Sequence, residues 1–221
     1  MSRRPGRHRG IRGKGVGPML HRLHRISALL ISVYVLFHLT NHLVALAGVE
    51  AHIDFMRSYR QVYRAAPVEL LLLICVFFQV ASGITFILRR RGQRRGFFDR
   101  AQAISGGYLA FFLLFHVGAV LYGRSQGLDT NFNFAAATLN LGAFPVFFTP
   151  YYTLAVAAYF THLACGLRWL LRARLPTATL DRAAVALMAL GLLLGLTIVA
   201  TFSGAFYPVR IPAEYCVTSC S

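Results

Sequence analysis

Five long apolar runs constrain this chain more than any other feature. They extend from about Leu20 to Ala47, Pro67 to Leu88, Ala101 to Tyr122, Pro150 to Leu171 and Leu180 to Phe202. A helix rising about 1.5 Å per residue needs ~20 residues to cross the ~30 Å hydrocarbon core of a bilayer. Lipid offers no partner to exposed backbone groups, so segments of this length cross it as helices. The composition, 57% hydrophobic and 14% charged, agrees. The sequence therefore predicts an all-α integral membrane protein, a five-transmembrane-helix bundle over residues 20–204. Residues 1–19, rich in Arg and Gly, read as a disordered basic arm, and 205–221 as an extracytoplasmic tail. The first run is longer than the apolar part of a signal peptide, about 7–15 residues, and contains His38, Asn41 and His42. It reads as a span, not a cleaved leader.

The net charge of +16 does not indicate nucleic acid. The basic residues cluster at the ends of the apolar runs, with no basic stripe along a soluble face. Eighteen of them fall on the side of the N-terminal arm, including Arg89, Arg90, Arg91, Arg94, Arg95, Arg168 and Arg172; five fall on the other side. By the positive-inside rule the N-terminus is cytoplasmic and the C-terminus outside, in the cell's inner membrane. Cys75 and Cys165 lie within apolar runs as small hydrophobes. For Cys216 and Cys220, in the tail, a local disulfide and free thiols both remain open.

The chain repeats itself. A shift of 78 residues lays the first span on the third, matching Arg22 with Arg100, Ile26-Ser27 with Ile104-Ser105 and Leu36-Phe37-His38 with Leu114-Phe115-His116. A shift of 83 lays the second span on the fourth, matching Pro67 with Pro150, Gly83 with Gly166 and Leu88-Arg89 with Leu171-Arg172. Leu matches are cheap in apolar sequence; matches of His, Ser, Pro and Gly are not. The architecture implied is a two-helix unit used twice in parallel, plus a fifth helix. In that helix Gly191 and Gly195 form either a close-contact face or a chance spacing.

Ionisable groups at membrane depth are functional candidates by default. His38 and His116 are repeat-equivalent and fall at one level, roughly 20–24 Å from the cytoplasmic boundary. Two histidines facing each other at equal depth can supply both axial ligands of a haem iron, and Gly106, Gly107, Gly118 and Ala119 would let the ring approach the third span. His42, one turn beyond His38, is an alternative ligand or a contact for quinone or propionate. His162 has Gln79 as its repeat partner. His21 and His24 lie at the cytoplasmic boundary, and His8 and His52 read as solvated. The chain has no Gly-rich dinucleotide fingerprint and no Cys spacing for an iron–sulfur cluster.

With those residues in hand, the chain resembles the membrane cytochrome b subunits of succinate dehydrogenase and fumarate reductase. That family opens its first helix on His-Arg-x-Ser/Thr-Gly, here His24-Arg25-Ile26-Ser27 with Ala28 in the Gly position. It also sets a Gly and an Arg after a ligand His near the cytoplasmic end of a helix, here His162, Gly166 and Arg168. The similarity covers roughly residues 20–175. Its two-haem members have five helices and ligand spacings similar to 38, 79, 116 and 162. The resemblance implies a distal haem on His38 and His116, while Gln79 stands where the proximal pair would need a histidine opposite His162. One haem b is therefore expected. Arg25 and Ser27 are candidates for a quinone carbonyl or a propionate. The implied role is a non-catalytic electron-transfer subunit, anchoring flavoprotein and iron-sulfur subunits on the cytoplasmic face and exchanging electrons with the quinone pool. The alternative is a haem-free scaffold or transporter-like protein whose histidines cross-link helices.

Overall fold

The computed structural model describes residues 17–216. Their helices are α1 (Pro18–Val44), α2 (Val49–Tyr63), α3 (Ala66–Arg89), α4 (Gly96–Ser125), α5 (Phe132–Asn140), α6 (Phe144–Leu171) and α7 (Thr177–Phe202). No strand occurs among them. Five helices are long and apolar enough to cross a membrane: α1 with the turn that follows it to Ala47, then α3, α4, α6 and α7. This is the all-α, five-span membrane bundle that the apolar runs predict. Of the basic arm, residues 1–16 lie outside the described residues, and Pro18 and Met19 are already helical.

Two expectations need correction. Pro67 sits in the first turn of α3, as its missing N–H favours. Pro150 does not open α6 but lies inside it, and Pro145 takes the first-turn position. Aromatic pairs one turn apart carry the helix through Pro150: Phe147 stacks on Tyr151 at 5.3 Å and Phe148 on Tyr152 at 5.5 Å. Residues 123–149, which the apolar runs leave only as a connection, contain the helix α5. Like α2, α5 is too short to span. α2 turns His52, Ile53 and Met56 inward and leaves Glu50, Asp54 and Arg57 exposed.

The two repeat units pack alike, α1 against α3 and α4 against α6, and α3 joins them by packing on α4. α1 makes no close backbone approach to α4 or α6, so space remains between them. The helix ends remote from the N-terminal arm, hereafter the far end, are closed by a core that draws Ile53 from α2, Phe132, Ala136 and Leu139 from α5, and Ile198 and Phe202 from α7. α7 packs mainly on α6, where both glycines are buried. A Cβ on Gly191 would collide with Phe160 Cβ, and one on Gly195 would stand 2.8 Å from the Thr153 carbonyl oxygen. Those glycines are what let the two helices touch. Gly191→Ala should cost about 1–3 kcal/mol through overpacking. It should lower the thermal unfolding midpoint in detergent, while Gly166→Ala, whose Cβ meets nothing within 4 Å, leaves it unchanged.

Candidate functional site

Between α1, α3, α4 and α6 runs a cavity of about 510 Å³, within the 300–1,000 Å³ common for ligand sites. Its walls are mostly apolar, with histidines at two levels: His38, His42, His52 and His116 toward the far end, and His24 and His162 toward the basic end.

At the far level the rings of His38 and His116 face each other from α1 and α4 with centroids 6.0 Å apart. Equal spacing from the starts of two repeat-related helices puts them there. His116 is held by stacking on Phe112 at 4.9 Å, and His38 by stacking on Tyr34 at 5.7 Å. His42 Nε2 lies 3.1 Å from His38 Nε2, and His42 Nδ1 lies 3.3 Å from His52 Nε2. Asn41 Nδ2 donates to that same His52 nitrogen at 3.0 Å.

His52 is not solvated. It is only 2% exposed, sealed beneath Phe132 and Phe202. Burial first, and the Arg60 charge second, push its imidazole down to about 4, so it is neutral at pH 7. The signal available in the sequence was the helical spacing of His52, Ile53 and Met56 on one face of a charged helix.

Beyond this level the cavity is lined by Tyr59, Tyr63, Arg64, Glu69 and Arg124. Glu69 and Arg124 form an ion pair between α3 and α4. Arg64 donates to Thr130 Oγ1 at 2.8 Å and pairs with no carboxylate among the described residues.

At the basic level the duplication is visible atom by atom. In the second unit His162 Nδ1 donates to the Gln102 carbonyl at 3.1 Å and lies 3.4 Å from Ser105 Oγ. In the first, Gln79 Nε2 donates to the His24 carbonyl at 2.5 Å and to Ser27 Oγ at 2.7 Å. The backbone acceptors, residues 24 and 102, and the serines, 27 and 105, are repeat-equivalent. Gln79 thus does the docking that His162 does in the other half, and its side chain is turned to α1. Gly106 admits the His162 ring, since a Cβ there would lie 2.9 Å from Cε1.

Of the residues singled out in the sequence, His38, His42, His116 and His162 all line the cavity. Ser27 lies buried in the wall behind it, bonded to Gln79 and to the Leu23 carbonyl. Arg25 is exposed outside the cavity, with its guanidinium 6.0 Å from the Trp169 ring. Among the described residues no group of three or more His, Cys, Asp or Glu is arranged to hold a metal ion. Cys75 and Cys165 are free and buried; Cys216 is disulfide-bonded, and Cys220 lies outside the described residues.

Replacing His52 by Phe should leave the buried Asn41 amide without its partner, at a cost of about 1–3 kcal/mol. A fall in thermal midpoint, partly recovered when Asn41→Leu is added, is the expected double-mutant result.

Residues 1–91, which take in α1, α2 and α3, match the family model for the succinate dehydrogenase/fumarate reductase transmembrane subunit. No curated protein and no solved structure matches the chain significantly.

Proposed function

We propose that the chain is a haem-b membrane anchor subunit, carrying electrons between a succinate dehydrogenase- or fumarate reductase-like complex and the quinone pool. The observation that carries this reading is the His38–His116 pair. Two imidazoles on opposite sides of an iron, each nitrogen about 2 Å from the metal, place their ring centres roughly 6 Å apart. The rings stand 6.0 Å apart, on helices whose backbones make no close approach, in an apolar cavity. The donor set fits one haem held by His38 and His116.

A haem bound there would supply reversible one-electron storage at membrane depth. The remaining work belongs to this chain's residues. Phe112 and Tyr34 fix the ligand rings by stacking. His42, hydrogen-bonded to His38 Nε2, keeps that nitrogen occupied and must release it for coordination. Once released, His42 remains one turn away as a contact for a quinone or propionate. Arg64, with no carboxylate of its own, is suited to neutralise a propionate at the far end. Arg25, exposed beside Trp169, is in this reading the contact for a quinone carbonyl or propionate at the basic end.

The basic face, with Arg89, Arg90, Arg91 and Arg172, is in this reading the cytoplasmic one, where flavoprotein and iron–sulfur subunits dock. In this reading the dicarboxylate chemistry resides in those subunits. The test is a reduced-minus-oxidised absorbance spectrum of the purified chain. A b-type band altered in both His38→Ala and His116→Ala is expected. No band, or one that neither substitution changes, would make the protein a haem-free scaffold whose hydrogen-bonded histidines join helices.

A further inference from the structure

On α4 the residues Arg100, Ile104, Gly107 and Phe111 follow one another at helical spacing and share one face. Ile104 is 73% exposed and Arg100 and Phe111 are exposed with it, so that face looks out of the bundle. It is hollow at Gly107, where an added Cβ would meet only Ile87 Cδ1, at 3.7 Å. A shift of 78 lays the face on Arg22, Ile26, Leu29 and Val33 of α1. There an exposed leucine fills the place of Gly107, and Arg25 the place of Ala103. Two small residues thus cut a groove into α4 where the first unit is bulky.

At the basic end the groove meets a second pocket, of about 210 Å³, lined by Arg94, Arg100, Ala103 and Ile104. The turn from α3 into α4 folds Arg94 back, with Gly92 and Gly96 in the left-handed region at φ 85° and 84°. Arg94 Nη2 donates to the Ile87 carbonyl at 2.5 Å, which fixes the guanidinium and leaves its other N–H groups free. The neighbouring Asp99 carboxylate accepts the Arg95 backbone N–H at 3.0 Å. Neither Arg94 nor Arg100 pairs with a carboxylate among the described residues. Two uncompensated guanidiniums therefore stand at the head of an outward-facing apolar groove.

We propose that this pocket is a specific site for an anionic phospholipid, its phosphodiester between Arg94 and Arg100 and an acyl chain along Ala103, Gly107 and Phe111. Guanidinium N–H groups match phosphate oxygens in geometry as well as charge. Basic pockets at the ends of membrane helices select anionic headgroups on the same grounds. A zwitterionic lipid would bring a further cation to a place that already holds two. The site lies apart from the histidine cavity and does not depend on what that cavity binds.

The experiment is native mass spectrometry of the full-length protein in detergent, titrated with phosphatidylglycerol or phosphatidylcholine of the same acyl chains. Preferential retention of phosphatidylglycerol is expected, weakened about fivefold in Arg100→Gln, the worth of one arginine near a phosphate. Arg100 is exposed, so its replacement leaves the fold intact. Ala103→Leu, which removes no charge, should also weaken binding by filling the groove. Arg182→Gln, at an exposed arginine of α7 outside the pocket, should leave it unchanged. Equal retention of the two lipids, or an equal loss in Arg182→Gln, overturns the site and leaves only diffuse attraction. Displacement by equimolar glycerol 3-phosphate overturns the acyl-chain contact and makes it a site for phosphate alone. Full lipid binding in both Arg100→Gln and Ala103→Leu overturns the proposal; release of co-purifying soluble subunits by the same variants would then assign the pocket to a protein contact.

Discussion

The bundle depends on a hydrogen bond made twice. At membrane depth a polar side chain has no water to turn to, and its cost is met only inside the protein. Gln79 on α3 and His162 on α6 each meet it by donating to a backbone carbonyl one helix away, with a serine beside it. That contact fixes the register of α3 on α1 and of α6 on α4. It orders two helix pairs and leaves the space between α1 and the second pair unfilled. The cavity and the histidines that border it follow from that arrangement, with α2, α5 and the Phe132–Phe202 stack closing its far end.

The histidines fall into two kinds of environment. At the far level they bond to each other, and His38 keeps its Nε2 covered by His42 until something displaces it. At the basic level they bond outward, to a serine and a carbonyl, and leave their inner nitrogens bare. The far level is also where buried polar atoms go unmatched, Asn41 Oδ1 and His52 Nδ1 among them.

Much of this was legible in the sequence because hydropathy and repetition are strong signals in lipid. The five spans, the first-turn role of Pro67 and the equal level of His38 and His116 follow from run lengths and from a shift of 78. Three features were not legible. α2 and α5 are too short and too mixed in polarity for a hydropathy reading, so His52 looked solvated although one face of α2 is buried. The place of Pro150 inside α6 was hidden because the helix begins at Phe144, before the apolar run, and Pro145 takes its first turn. The exchange of His and Gln between the halves is present in the sequence, but it gains meaning only when residues 24 and 102 are seen as equivalent backbone acceptors. Gln79, seen in the sequence only as a missing ligand, is a structural contact that holds His24 in place.

The central claim is that His38 and His116 are the two ligands of one iron. Electron paramagnetic resonance of the oxidised, purified protein tests it most directly. The account predicts a low-spin ferric signal of bis-imidazole type that turns high-spin or disappears in His116→Ala. A protein without any ferric haem signal, or one whose signal survives both His38→Ala and His116→Ala, would contradict it.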